Sequence, residues 1–321
     1  MPALATWKFI SNKMQENIPV ILLYVVESHG SSPGREGFLM AVDSLGAMQG
    51  SIGGGIMEHK FVEMAKDKLT HFATETDLRK QVHNKIASNN QSGMICSGEQ
   101  TIVLYRLQKE DLLTVNRIIK ILENYKTGII TLLPYSISFT ATTQAATSVF
   151  SFIDENQWNY SGPVLVPRHL FIVGGGHCSL ALSKIMHLLG FRITVLEERK
   201  NLNTFENNSW AIEKIIVDGY ENVSPYFTQH LAETYVVVMT FGYRTDEQVL
   251  KQIMEIPFKY LGVMGSKTKM QKMFDNLYLQ GMSQDFLDAV HTPVGLPINS
   301  RTPEEIAISI AAQIIQVKNR A

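Results

Sequence analysis

Cysteine is nearly absent: Cys96 and Cys178 are the only two in 321 residues. Two thiols cannot build a disulfide framework or a four-cysteine zinc site. Net charge is missing too. The chain has 29 Lys and Arg against 30 Asp and Glu, which leaves −1. Long-range attraction to nucleic acid or to an anionic membrane is therefore not expected, although a local basic site is compatible with that balance. No apolar run reaches the roughly 18 residues of a membrane-spanning helix. The stretch MPALATWKFI has no basic region followed by a long apolar core, so it does not read as a secretory leader. These absences predict a cytoplasmic protein without nucleic-acid or membrane partners. No Ser-His-Asp pattern, H-E-x-x-H or P-loop occurs, and no metal site is expected.

What is present is a globular composition, 45% hydrophobic and 18% charged, in a chain long enough for two domains. In the first half, residues 18–28 and 38–43 read as strands and 58–73 as a helix. Residues 101–107 then read as a strand and 112–125 as an amphipathic helix. GIITLLP and ATSVFSF add strand candidates. Residues 153–169 combine Asn, Gly and Pro without a sustained period and read as a linker. Beyond it strand and helix alternate, from LFIV (170–173) to YLGVMGS (260–266), which indicates a parallel sheet with helices on both faces. Thr302, Pro303 and Glu305 mark the start of a last helix. The expected fold is α/β: a mixed α/β N-terminal domain over 1–163, then a Rossmann-like, doubly wound parallel sheet over 164–321.

Two glycine triples stand out. Gly174-Gly175-Gly176 follows an apolar strand and opens a helix. Such a turn lets the backbone approach a pyrophosphate, and the helix start supplies free N–H groups. Glu197 and Glu198 end the next strand, where a ribose-binding acid sits in dinucleotide folds. Ser179 replaces the third glycine of the fingerprint. A fold whose glycines merely make the turn reads equally from these residues. His177 beside them reads either as a ligand contact or as a lone histidine with no such role. Gly265 and Ser266, followed by Lys267, form a second strand-to-helix junction that suits an anion or is an ordinary turn.

The other triple, Gly53-Gly54-Gly55, lies in SIGGGIME. Ser51 and the glycines offer successive N–H groups, which make an anion nest if the residues alternate in handedness. Glu58 falls in the first turn of the helix that follows. The alternative is a tight turn where two backbones pass closely. Ser31, Ser32 and Arg35 lie in the loop SHGSSPGREG, and arginine can grip a phosphate or carboxylate with two hydrogen bonds. Cys96 has glycines on both sides just before a strand. It is either a reachable, acidified thiol or a small buried hydrophobe.

Together these stretches resemble the XdhC/CoxI family, accessory proteins of xanthine dehydrogenase and related molybdenum hydroxylases. The resemblance runs over nearly the whole chain. It rests on Gly30-Ser31-Ser32-Pro33, on Gly50 to Gly55 with Glu58, and on Cys96-Ser97-Gly98. In the second half it rests on Gly174 to His177, Glu197-Glu198-Arg199, Met264-Gly265-Ser266, His291 to Leu296 and Arg301 to Ala307. Three positions depart from the family pattern: Tyr243 stands for a histidine, Ser97 for a glycine, and Ser179 for the third Rossmann glycine.

The resemblance implies an accessory protein more than a conventional enzyme. Such a protein binds molybdenum cofactor in its molybdopterin form as cargo. It holds that cargo while a cysteine desulfurase supplies the terminal sulfido ligand, then passes it to a hydroxylase of the xanthine dehydrogenase type. Homodimers are frequent in the family. Cys96 would then sit near the metal or relay sulfur. The residues themselves leave two alternatives: an NAD(P)-dependent oxidoreductase, with Glu197 and Glu198 favouring NAD, or a nucleotide-binding scaffold.

Overall fold

A computed structural model describes residues 2–71, 76–82, 98–124, 126–142, 146–164, 168–227 and 233–320. The chain falls into two units, Met1–Pro167 and Arg168–Ala321.

The first unit begins with helix α1 (Pro2–Gln15), followed by strands β1 (Val20–Gly30), β2 (Leu39–Asp43) and β3 (Met48–Gly50). Helix α2 (Gly55–Thr70), strands β4 (Asp77–Val82) and β5 (Gly98–Arg106) and helix α3 (Leu112–Glu123) come next. Strands β6 (Thr127–Leu133), β7 (Ser136–Thr142), β8 (Val149–Asp154) and β9 (Gln157–Val164) complete it. The first five strands form an antiparallel sheet ordered β3-β2-β1-β5-β4.

β1 lies at the centre and is buried on both faces, which is why its sequence is a continuous apolar run rather than an alternation. Ile21, Leu23 and Val25 pack with Phe61, Val62, Ala65 and Leu69 of α2. Leu22, Tyr24 and Val26 share a second cluster with Trp7 and Ile10 of α1 and with Val115, Ile118 and Leu122 of α3. The remaining strands make a four-stranded sheet, β7-β6-β9-β8, whose Ile130, Leu132, Trp158 and Tyr160 join that second cluster.

Here the structure corrects the linker expected over 153–169. Residues 149–154 and 157–164 are two paired strands. Trp158, Tyr160, Gly162 and Val164 are buried in strict alternation, but Gly162 and Pro163 dilute the pattern.

The second unit contains β10 (His169–Val173), α4 (His177–Leu188), β11 (Arg192–Glu197), α5 (Asn203–Glu206) and β12 (Glu213–Ile216). It continues with β13 (Thr234–Val238), α6 (Tyr243–Ile253), β14 (Tyr260–Val263), α7 (Lys267–Leu279), α8 (Gln284–Ala289) and α9 (Pro303–Lys318). All five strands are parallel, in the order β12-β11-β10-β13-β14. This is the doubly wound arrangement that the strand–helix alternation predicts. One sheet face packs with α4 and α9, through Leu182, Met186, Ile310 and Ile314. The other packs with α6, α7 and α8, through Val249, Leu250, Met273, Leu277 and Leu287.

The capping box expected for α9 is present, with the Thr302 hydroxyl and the Glu305 carboxylate exchanging hydrogen bonds with each other's backbone. His291 pairs beside β14, and Gly295 N–H and the Tyr260 hydroxyl both donate to Gln313 Oε1 of α9. The His291–Leu296 stretch therefore fastens the last helix to the sheet edge.

Candidate functional site

In the first unit three glycine-bearing stretches meet. A Cβ added to Gly53 would lie 2.6 Å from Gly34 N, and one added to Gly34 would lie 2.1 Å from Ile52 O. A Cβ on Gly98 would lie 2.5 Å from Ser32 N. The Ser31–Arg35 loop is thus pressed, backbone on backbone, against the glycine triple on one side and the start of β5 on the other. No side chain fits at these three positions, which is the physical reason for glycine there.

Gln100 holds the junction together. Its Oε1 accepts from Ser32 Oγ (2.5 Å) and Gly34 N (3.0 Å), while its Nε2 donates to Ile52 O (3.1 Å). Nothing in the sequence marks this buried glutamine apart from its place just ahead of an apolar strand.

The triple does not form the alternating nest. Gly53, Gly54 and Gly55 all have positive φ, at 129°, 78° and 70°. Their neighbourhood nevertheless gathers donors on one oxygen. Glu58 Oε2 accepts from Ser51 Oγ (2.6 Å), Ile52 N (3.0 Å) and Gly54 N (3.1 Å), and Gly53 N donates to Ser51 Oγ (3.1 Å). The chain's own carboxylate sits where an external anion was expected. Space remains above Gly54, where an added Cβ would meet nothing within 4 Å. Ser31 and Arg35 are exposed, with Arg35 Nη1 donating to Gly30 O (3.0 Å). Cys96 and Ser97, just before Gly98, lie outside the described residues.

In the second unit the candidate residues line the carboxyl edge of the parallel sheet, where α/β folds bind ligands. Gly174 has φ 112°, and a Cβ there would lie 2.3 Å from Met239 O, so β10 and β13 leave the sheet in backbone contact. Gly176 caps α4 without any side-chain hydrogen bond, and His177 beside it is exposed. Ser179 is buried, and its hydroxyl has no partner among the described residues. Burial pushes the Cys178 thiol up, with Glu304 adding to the shift, so this cysteine is not acidified. Ser266 caps α7, again without a side-chain hydrogen bond. Tyr243 opens α6, and Asp246 of that helix accepts from the Thr240 N–H (3.0 Å) and hydroxyl (2.7 Å), which sets the loop after β13.

Glu197 differs most from expectation. Its side chain is fully buried. Its carboxylate accepts from Gly175 N (2.7 Å), Arg199 N (2.9 Å), Arg199 Nε (2.9 Å), Arg199 Nη2 (2.8 Å) and the Tyr220 hydroxyl (3.1 Å). Burial alone would raise its pKa. The Arg199 guanidinium and the two backbone N–H groups override burial and bring it down to about 2. A carboxylate offers roughly four lone-pair sites. The acid expected to read a ribose is therefore saturated by the protein, and Arg199 compensates its charge. Glu198 next to it is half-buried. Arg199 and Tyr220 had no assigned part in the sequence-derived site.

This architecture defines a two-unit α/β protein whose second unit is Rossmann-like. Residues 170–314 match the XdhC Rossmann domain, and residues 14–76 match the XdhC and CoxI family. The chain belongs to the XdhC/CoxI family. It is 26% identical over 321 residues to the uncharacterized protein YqeB of Escherichia coli strain K12, covering 96% of this chain and 45% of that protein. It is 26% identical over 154 residues to a probable xanthine dehydrogenase component of Bacillus subtilis strain 168, covering 48% of this chain and 44% of the relative. The chain thus spans less than half the length of either curated relative. A solved Bacillus halodurans structure, described as a xanthine dehydrogenase, superposes with a TM-score of 0.74 at 20% identity. The match covers 98% of this chain and 97% of that one, and at this identity it is a likeness of fold.

Proposed function

We propose that the chain is an accessory protein that handles molybdenum cofactor for a hydroxylase of the xanthine dehydrogenase type. In this reading it binds the molybdopterin form as cargo, holds it while a cysteine desulfurase supplies sulfur, and delivers it to the client. The observation that carries the reading is the meeting of the Ser31–Arg35 loop, the glycine triple and Gly98 in one place in the first unit. The Ser31–Arg35 loop and the glycine triple fall within residues 14–76, which match the XdhC and CoxI family, and at Gly34, Gly53 and Gly98 the backbones approach too closely for any side chain. Ser31 and Arg35 are exposed in the loop that packs on the triple and offer a hydroxyl and a guanidinium, donors suited to a phosphate or a pterin edge. Cys96 stands two residues before Gly98 in the sequence, which is why we assign it a place near the metal or in sulfur relay. The same reading expects a homodimer in the cytoplasm.

The test is purification of the full chain from a host that makes molybdenum cofactor, followed by pterin fluorescence and metal analysis. The expected result is pterin and molybdenum in stoichiometric amounts. Protein free of both, in a host where deleting the chain leaves hydroxylase activity unchanged, would overturn the proposal.

A further inference from the structure

Arg199, anchored on the buried Glu197, has a second role available to it. Its side chain is 39% exposed, and it engages Glu197 through Nε and Nη2. Its guanidinium carbon lies 5.0 Å from the centroid of the Phe241 ring. Phe241 is 56% exposed, although it sits in the loop that Thr240 and Asp246 pin down after β13. The Tyr220 ring stands 6.3 Å from it. Glycines leave room at both neighbouring helix starts. An added Cβ would meet nothing within 4 Å at Gly176, and only Thr245 Oγ1, at 3.8 Å, at Gly242. A flat cation held rigid from behind and an exposed aromatic ring beside it make a surface for stacking, because every fused heterocycle has a π face.

We propose that Arg199 and Phe241 form a stacking platform for the planar fused ring, purine or pterin, of a phosphate-bearing ligand, with Glu197 positioning the guanidinium instead of reading a ribose. Glu198 and Lys200 follow in the same turn, so the segment carries no excess positive charge. Recognition therefore rests on the ring. Because it is measured with free nucleotides, this inference stands or falls separately from the cofactor-handling proposal.

The experiment is calorimetric titration of the full chain with AMP, 2′-deoxy-AMP, ribose 5-phosphate and neopterin monophosphate. AMP and 2′-deoxy-AMP should bind within about threefold of each other, because the Glu197 carboxylate is already taken up by Gly175, Arg199 and Tyr220 and is not free for the 2′-hydroxyl. Ribose 5-phosphate should bind at least tenfold more weakly than the better of AMP and neopterin monophosphate. That comparison also identifies the preferred ring. Phe241→Ala, at an exposed position, should keep the fold and weaken that ligand about tenfold, within the range for loss of one ring stack. Three results would overturn the proposal: no binding of either ring compound below millimolar, a tenfold loss on removing the 2′-hydroxyl, or unchanged affinity in Phe241→Ala.

Discussion

Replacing Glu197 by glutamine keeps the shape of the side chain and removes its charge. The carboxyl group has a pKa of about 2 in the folded protein against an ordinary value of 4.5. At about 1.36 kcal/mol per unit, that depression stabilises the second unit by roughly 3 kcal/mol at pH 7. The sign follows from the direction of the shift. A depressed carboxyl contributes fully above its unfolded pKa, and the contribution fades as pH falls from about 4.5 towards 2. At pH 3 less than half of it should remain. The variant also leaves Arg199 without its counter-ion. That side chain is 39% exposed and can rehydrate, so the full cost of an orphaned buried charge, about 3–5 kcal/mol, is not expected.

The assay is urea unfolding of wild type and Glu197→Gln at pH 7 and pH 3. Hydrogen exchange on peptides from β10 and β11 assigns the loss to the second unit. A gap of roughly 3 kcal/mol at pH 7 that shrinks to under half at pH 3 is the expected outcome. A difference below about 1 kcal/mol at pH 7, or a gap of equal size at both pH values, would refute the linkage argument.

Gly53→Ala should destabilise the first unit by more than about 2 kcal/mol, because a Cβ would lie 2.6 Å from Gly34 N on top of a positive φ. Gly54→Ala meets open space but keeps the strain of a conformation confined essentially to glycine (φ 78°, ψ −174°), and should cost about 1–3 kcal/mol, less than Gly53→Ala, which carries the clash as well; equal unfolding midpoints for the two variants would contradict the close-approach argument. Glu58→Ala removes one acceptor from three donors and should lower stability by about 2 kcal/mol, with Glu58→Gln recovering more than half of that in the same denaturation assay. Cys96→Ala should fold normally and fail to support production of the sulfurated cofactor; unchanged activity of the client hydroxylase would remove Cys96 from the mechanism.

The second unit was legible because each central strand of a parallel sheet is covered on both faces and each is followed by a helix. Both features leave long, regular marks, as in LFIV and YVVVMTF. The four-stranded sheet of the first unit left weaker marks, since β9 carries Gly162 at a buried position and Pro163 beside it. Helix α1 left none: its anchors Trp7 and Ile10 lie in an otherwise ordinary stretch, and no capping residue announces it.

At the candidate sites the glycines could be read as turns, yet what they turn against could not. Gly34 and Gly98 matter because of backbones distant in sequence, and Gln100 because of the loops it ties. Glu58 and Arg199 act on groups that only the fold delivers to them. A motif read along the chain shows donors, whereas competition for those donors is decided in space.

The central place of β1 also bears on how the chain is made. Its hairpin with β2 can close soon after Asp43 emerges, but its other edge waits for Gly98–Arg106. At about 5–20 residues per second, synthesis from Asp43 to Gly98 takes roughly three to eleven seconds. Throughout that interval an eleven-residue strand rich in valine and leucine presents an open hydrogen-bonding edge. Nascent first units are therefore prone to pair with one another, and slow translation of this stretch should favour aggregation over folding.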